Sequence, residues 1–294
     1  MIDLCRAPPA ASFDLGSLPL LVIGDATNGG VASDLADVVA TDGADLDAIA
    51  DTFSRSPQAA IALCVLLRGS RSRTTGEGLA AESAVYSTLQ SGGEFAAWLA
   101  SRSRSRPPHA TPSPGDTVRV ARSGRTLAIT LNRPDVHNAM NSAMRHELVD
   151  ALAIAATPEI SEVQLRGEGR SFCSGGDLSE FGSFVDPATA HLVRLARHPA
   201  RAIAAVATRT TVHIQGACIG AGIELAAFAS HVIADRSTRI ALPEVKLGLI
   251  PGAGGTVSLP RRIGRHRTAW LALTGNSIDA ETARDWSLVD ELEP

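Results

Sequence analysis

A chain of 294 residues, 45% hydrophobic and 20% charged, can bury a sizeable core and is long enough for one large domain or two. Its formal net charge of −4 gives no pull toward nucleic acid or an anionic membrane surface, and no run is long and apolar enough to cross a bilayer. The scattered cysteines Cys5, Cys64, Cys173 and Cys218 contain no C-x-x-C pair, which points to reduced, buried thiols in a cytoplasmic protein and away from a disulfide frame or a zinc site. The opening MIDLCRAPPAA lacks the basic leader and apolar core of a signal peptide.

Residues 1–44 read as a loose leader with one buried strand, Leu18 to Ile23, closed by Gly24-Asp25. The following DATNGGVASD resembles a phosphate loop only superficially, because Gly30 stands where the lysine would be. Residues 45–100 are helical in pattern. Leu46, Ile49, Ala50 and Phe53 share one face, Pro57 suits the first turn of a helix over Gln58 to Arg68, and Leu79 to Leu89 and Glu94 to Ala100 follow. Residues 101–116, SRSRSRPPHATPSPGD, form a linker; the Ser/Arg run has no aromatic neighbours and is not read as an RNA-binding element.

From residue 117 the pattern changes to strands and helices in alternation. A hairpin is expected around Ser123-Gly124, then a helix over Ser142 to Ala156 capped by Ser142, and a short strand at Val163 to Leu165. His146-Glu147 is not a zinc helix, since Asp150 occupies the place of the second histidine. Helical residues continue to about Val206, and further helices are predicted over Arg265 to Leu273 and Ala280 to Trp286.

The stretch His213 to Thr256 carries the chemistry. A strand-like entry leads into a turn with Gly216, Gly220 and Gly222, then into an apolar helix-like run, Ile223 to Ala229, that contains Glu224. Glu244 follows behind Pro243, and a second tight turn, Pro251 to Gly255, opens another helix. A carboxylate in an apolar helix start is costly to bury unless paired, protonated or used. Two of them between glycine turns suggest proton transfer beside exposed backbone N–H groups.

Taken together, these residues resemble the enoyl-CoA hydratase/isomerase (crotonase) superfamily. Gly216 to Ala226 and Pro243 to Thr256 match the two halves of its signature, with the same interval between the acids. NRPDVHNAMN (132–141), SFCSGGD (171–177) and LTGNSIDAETARDWSLVDELEP at the end resemble its other landmarks in order. The resemblance implies an α/β fold, a spiral of ββα units with a helical cap, in trimers or dimers of trimers, with residues 117–294 as the catalytic core. The family continues past the final landmark with a helical tail. A tail-like pattern lies instead in the first half, at Leu46 to Ala50, Ser56 to Ala60, Val65 to Leu67 and Gly78 to Glu82. We therefore expect a circular permutation in which residues 45–100 supply the cap; the alternative is an unrelated helical leader.

The resemblance also implies roles. Backbone amides of Gly176 and Ala221 would form an oxyanion hole, Glu224 would act as base and Glu244 as acid, with the pair more secure than the order. Val136 and His137 would meet the adenine end of CoA, and Ser174, Asp177 and Leu178 would line the substrate. The tail lysine of many relatives corresponds to Cys64, which puts a CoA contact there in doubt. The expected activity is hydration of a 2-enoyl-CoA thioester to a 3-hydroxyacyl-CoA, as in fatty acid metabolism; the alternatives are an enoyl-CoA isomerase or a non-catalytic acyl-CoA-binding paralogue. No metal or separate cofactor is expected, CoA being part of the substrate, and no nucleic acid or membrane partner.

Overall fold

A computed structural model describes residues 18–26, 35–102, 117–183 and 186–293. The Ser/Arg/Pro linker, the glycine-bearing DATNGGVASD segment and Cys5 fall wholly or mainly outside them.

The second half of the chain winds as a spiral of strands. β3 (Val118–Ser123) and β4 (Thr126–Leu131) form the antiparallel hairpin that the sequence predicts, with Gly124 in the left-handed region at its turn. Alternation along β4 sends Leu127, Ile129 and Leu131 into the core. The chain then passes through α5 (Ser142–Ala155) to β5 (Glu162–Gly167), and through α6 (Pro187–Ala196) and α7 (Pro199–Val206) to β6 (Thr210–Ile214). β7 (Ala217–Ile219), α8 (Ala221–Ala226), β8 (His231–Ala234), β9 (Arg239–Ala241), α9 (Gly255–Thr274), β10 (Ile278–Asp279), α10 (Ala280–Asp285) and β11 (Glu291–Leu292) follow. One sheet has the order β11-β8-β6-β5-β4-β3, parallel throughout except for the β3–β4 hairpin. A smaller sheet has the order β10-β9-β7. β6 and β8 lie in the first sheet, β7 and β9 in the second, so successive turns of the chain add a strand to each.

The first half is a helical cap. α1 (Gly43–Arg55), α2 (Pro57–Arg68), α3 (Thr75–Gln90) and α4 (Gly93–Ser101) fall where the pattern places helices. Their ends are chemically marked. The Asp42 carboxylate accepts the Asp45 amide at 2.8 Å, and Thr74 with Glu77 forms a reciprocal capping box. The free amides of Gln58 and Ala59 at the start of α2 donate to Glu94 on α4 at 2.7 and 3.1 Å. α1, α2 and α3 all pack on α9. Gly78 of α3 meets Val257 of α9 so closely that a Cβ would stand 2.8 Å from Cγ2. Cys64 lies in this core with its thiol pushed up by burial; Cys64, Cys173 and Cys218 are all buried and unpaired.

Three local readings need correction. The leader contains two short parallel strands, β1 (Ile23–Asp25) and β2 (Val38–Ala40), where one was expected. The first lies later than predicted and is less buried, with Leu18 and Ile23 exposed at 39% and 37%. What anchors this segment is polar: Asp37 accepts the Val22 amide at 2.9 Å and pairs with Arg68 at 2.7 Å, a link no periodicity reveals. α5 is capped by Asn141, whose side chain takes the Met144 amide, and not by Ser142. α8 stops at Ala226, because the run to Ala229 turns away toward β8.

Candidate active site

The glycine-rich turn and the Ser-Gly-Gly-Asp turn are held side by side by backbone alone. Cys173 and Cys218 form a parallel bridge, with Cys173 N donating to Ala217 O at 3.1 Å and Ile219 N donating to Cys173 O at 2.9 Å. Gly176 and Ala221 each lie three residues beyond that bridge. Met140 bonds to Gly175 O and Asp177 N, so the N–H of Gly176, between them, faces the other way. Ala221 is the first residue of α8, where an N–H has no acceptor within the helix. The two amides assigned to an oxyanion hole thus sit at matched positions on neighbouring turns. Gly222 explains the tightness: a Cβ there would lie 2.5 Å from Cys173 O.

Both predicted acids come to this place. Glu224 is 2% exposed, and its Oε2 accepts the amides of Ala253 and Gly255 at 2.7 and 2.8 Å. Glu244 is half-buried as a residue, yet its Oε2 is buried without a hydrogen-bond partner. Its Oε1 lies against Gly220, where a Cβ would come within 2.2 Å. Gly220 also has φ 49° and ψ −120°, a conformation essentially reserved for glycine. Burial pushes both carboxyls above the ordinary carboxylate value, Glu244 to about 7. Glu224 is raised well above, by burial first and then by the charges of Glu244 and Glu82.

The remaining assigned residues divide into two groups. Val136, His137 and Ser174 are brought together, Ser174 N donating to His137 O at 2.9 Å and Ser174 Oγ to Val136 O at 3.4 Å. His137 is exposed, adopts a left-handed backbone, and places Nδ1 3.0 Å from Ser171 Oγ. Asp177 is tied inward: its carboxylate pairs with Arg133 at 2.9 Å and accepts Ser179 N and Oγ. Burial opposes its charge, but the Ser179 and Arg133 contacts outweigh that and hold its pKa below the ordinary value. Its visible role is to fix the turn. Leu178 is exposed at 43%, and its carbonyl accepts Arg102 at 2.6 Å.

The cap enters the site as well. Glu82 of α3 is fully buried and accepts the amides of Gly254 and Thr256 and the Thr256 hydroxyl. Tyr86 lies against Gly252 and under the guanidinium of Arg194, 4.5 Å from the ring centre. Trp98 of α4 makes an edge contact with Phe181 at 5.9 Å, and Phe181 in turn covers Gly176. None of these was assigned to the site from sequence. For Glu82 a signal existed: Gly78, Leu79, Glu82 and Ser83 recur at helical spacing on the buried face of α3, and a carboxylate on that face is out of place.

Among the described residues no cluster of three or more His, Cys, Asp or Glu could hold a metal ion, and no helix is long and apolar enough to cross a membrane. The sequence profile described as enoyl-CoA hydratase/isomerase matches residues 122–294. The 2,3-dehydroadipyl-CoA hydratase of Escherichia coli K12 is 38% identical over 182 residues, covering 60% of this chain and 68% of that protein. A probable enoyl-CoA hydratase of Mycobacterium tuberculosis is 35% identical, covering 61% and 69%. The crystal structure of an enoyl-CoA hydratase from Thermoplasma volcanium GSS1 superposes with a TM-score of 0.57 at 34% identity, covering 60% of this chain and 72% of that one. The shared fold and the sequence relationship agree, and the chain belongs to the enoyl-CoA hydratase/isomerase (crotonase) family of enzymes.

Proposed function

We propose that the protein hydrates a 2-enoyl-CoA to a 3-hydroxyacyl-CoA. The observation that carries this is a pair of buried carboxyls that feel each other's charge, Glu224 on the helix that begins at Ala221 and Glu244 with its Oε1 against Gly220. Addition of water places charge on the thioester oxygen, and two fixed N–H donors in a buried site stabilise that enolate; one such donor is worth about 3 kcal/mol. Glu224, whose charge is supported by two amides, takes a proton from water as its oxygen bonds C3. Glu244, whose Oε2 has no donor to support a charge, holds the proton that goes to C2. The C2–C3 double bond becomes single, and the two acids exchange protonation state before the next turnover.

Within this reading, Val136, His137 and Ser174 meet CoA, while Asp177 and Leu178 shape the turn beside the thioester. No separate cofactor takes part, and the active unit is a cytoplasmic trimer or dimer of trimers. Residues 45–100 act as the cap through circular permutation of the family's tail; their packing on α9 supports this. An isomerase needs one acid to carry a proton between carbons, so the retention of two carboxyls favours hydration.

The test is loss of enoyl-thioester absorbance when the protein is mixed with 2-enoyl-CoA substrates of graded chain length, with the 3-hydroxyacyl product identified. Conversion of a 3-enoyl-CoA alone would replace hydration by isomerisation. CoA-ester binding without turnover of any substrate would replace both by a non-catalytic role.

A further inference from the structure

The start of α9 offers four consecutive amides, Ala253 to Thr256, and all four end on carboxylates. Ala253 and Gly255 donate to Glu224 Oε2 at 2.7 and 2.8 Å. Gly254 donates to Glu82 Oε1 at 2.7 Å and Thr256 to Glu82 Oε2 at 2.9 Å, with the Thr256 hydroxyl adding a contact at 2.6 Å. A helix start ordinarily leaves such amides to water or to one cap. Here two acids from distant parts of the chain take them in alternation, so neither carboxylate can shift without moving the turn that holds the other.

We propose that Glu82 is a positioning residue for the reaction: by gripping Gly254 and Thr256 it fixes the turn whose other two amides orient Glu224. The N-terminal segment then contributes to the active site, beyond covering it. This rests on the reading of Glu224 as the base.

Glu82 also acts through its charge. The charged groups that act on it or that it acts on are Glu224 of α8, Glu244, and Arg194 of α6, while His191 of α6 meets the neighbouring Ser83 and Tyr86 lies one turn along its own helix. Burial raises Glu82 to about 7 against the contacts from Thr256 and Gly254 and the field of Arg194. A negative charge at Glu82 raises both Glu224 and Glu244. Neutralising it lowers their pKa values, so the base stays ionised to lower pH.

The experiment compares Glu82→Gln, Glu82→Asp and Thr256→Val with the wild-type full chain, reading kcat/KM against pH for a short 2-enoyl-CoA, together with thermal unfolding. The expected result for Glu82→Gln is a loss of about tenfold to a hundredfold in kcat. Its acid limb should move down by about half a pH unit or more. Glu82→Asp keeps the charge and should leave the limb in place while lowering kcat. Thr256→Val is nearly isosteric and weakens the support for Glu82, giving a smaller shift in the same direction if Glu82→Gln does not fold. An unmoved limb, with kcat either unchanged or reduced equally at every pH alongside a lower unfolding temperature, overturns the proposal and leaves Glu82 a helix cap. Should no 2-enoyl-CoA be turned over, the functional reading fails separately. Titration of ¹³C-labelled glutamate carboxyls, with Glu224→Gln for assignment, still decides this one: the Glu224 signal titrates lower in Glu82→Gln, or it stays and the proposal falls.

Discussion

The two halves of the site are built by different means. The amides of Gly176 and Ala221 are placed by a backbone ladder, one parallel bridge between Cys173 and Cys218, with buried neighbours filling in behind. The carboxyls are placed by side chains that cross between layers, Glu224 from α8 to the start of α9 and Glu82 from the cap to the same turn. A ladder is indifferent to most side-chain changes and vulnerable only where two backbones nearly touch. A carboxyl network is sensitive to every member. The difference assigns where point substitutions act on chemistry and where they act on architecture.

The largest effect should come from the carboxyls. Glu224→Gln and Glu244→Gln each remove a proton-transfer group while nearly preserving shape, and kcat for hydration should fall by about 10²- to 10⁴-fold. Unchanged turnover in either would sink the two-acid assignment. On the ladder side, Gly222→Ala pushes a Cβ to within 2.5 Å of Cys173 O, a backbone atom that cannot swing aside. The two turns must part, and kcat/KM should drop by about a hundredfold with the circular dichroism spectrum retained. Loss of activity no greater than twofold would show that the ladder has slack.

A third contrast is thermodynamic. Glu244 sits at about 7 in the folded state, above the ordinary value of 4.5. The native state therefore binds more protons than the unfolded chain between those values, and this group's contribution to stability falls as pH rises through the window. Glu244→Gln abolishes that dependence. Relative to wild type it should gain up to about 3 kcal/mol between pH 5 and pH 8 in urea unfolding, the order of magnitude of the shift. An equal offset at both pH values would contradict the buried, poorly supported charge. The smallest effect belongs to the exposed pair Arg236–Glu281, both side chains more than half accessible. Arg236→Ala should change stability by less than about 0.5 kcal/mol and leave kcat alone.

Legibility followed the same division. The β3–β4 hairpin, α5 and β5 were readable because alternation and helical spacing are local, the short strands β8 to β11 were too brief to show either, and the twin glutamates stood out through the family resemblance of the whole stretch around them. The helices of the cap were readable by the same spacing. The β1–β2 pairing was not, since its anchor is Asp37 reaching Arg68 across 31 positions. Asp177 was assigned to substrate contact, but the sequence could not reveal that Arg133 and Ser179 hold its carboxylate. Glu82 was visible as part of a tail-like pattern, yet its hydrogen bonds to Gly254 and Thr256 appear only where α3 meets the start of α9. Contacts between distant segments have no local signature, and those are the contacts that complete the site.

The bond from Thr256 to Glu82 spans 174 positions. On a ribosome the cap helices emerge first, with their apolar faces turned toward a partner that has yet to be made. Closing so long a loop is slow and comes after local contacts. Catalytic competence should therefore arrive as the last step of maturation, when synthesis has passed α9 and the waiting helices can finally dock.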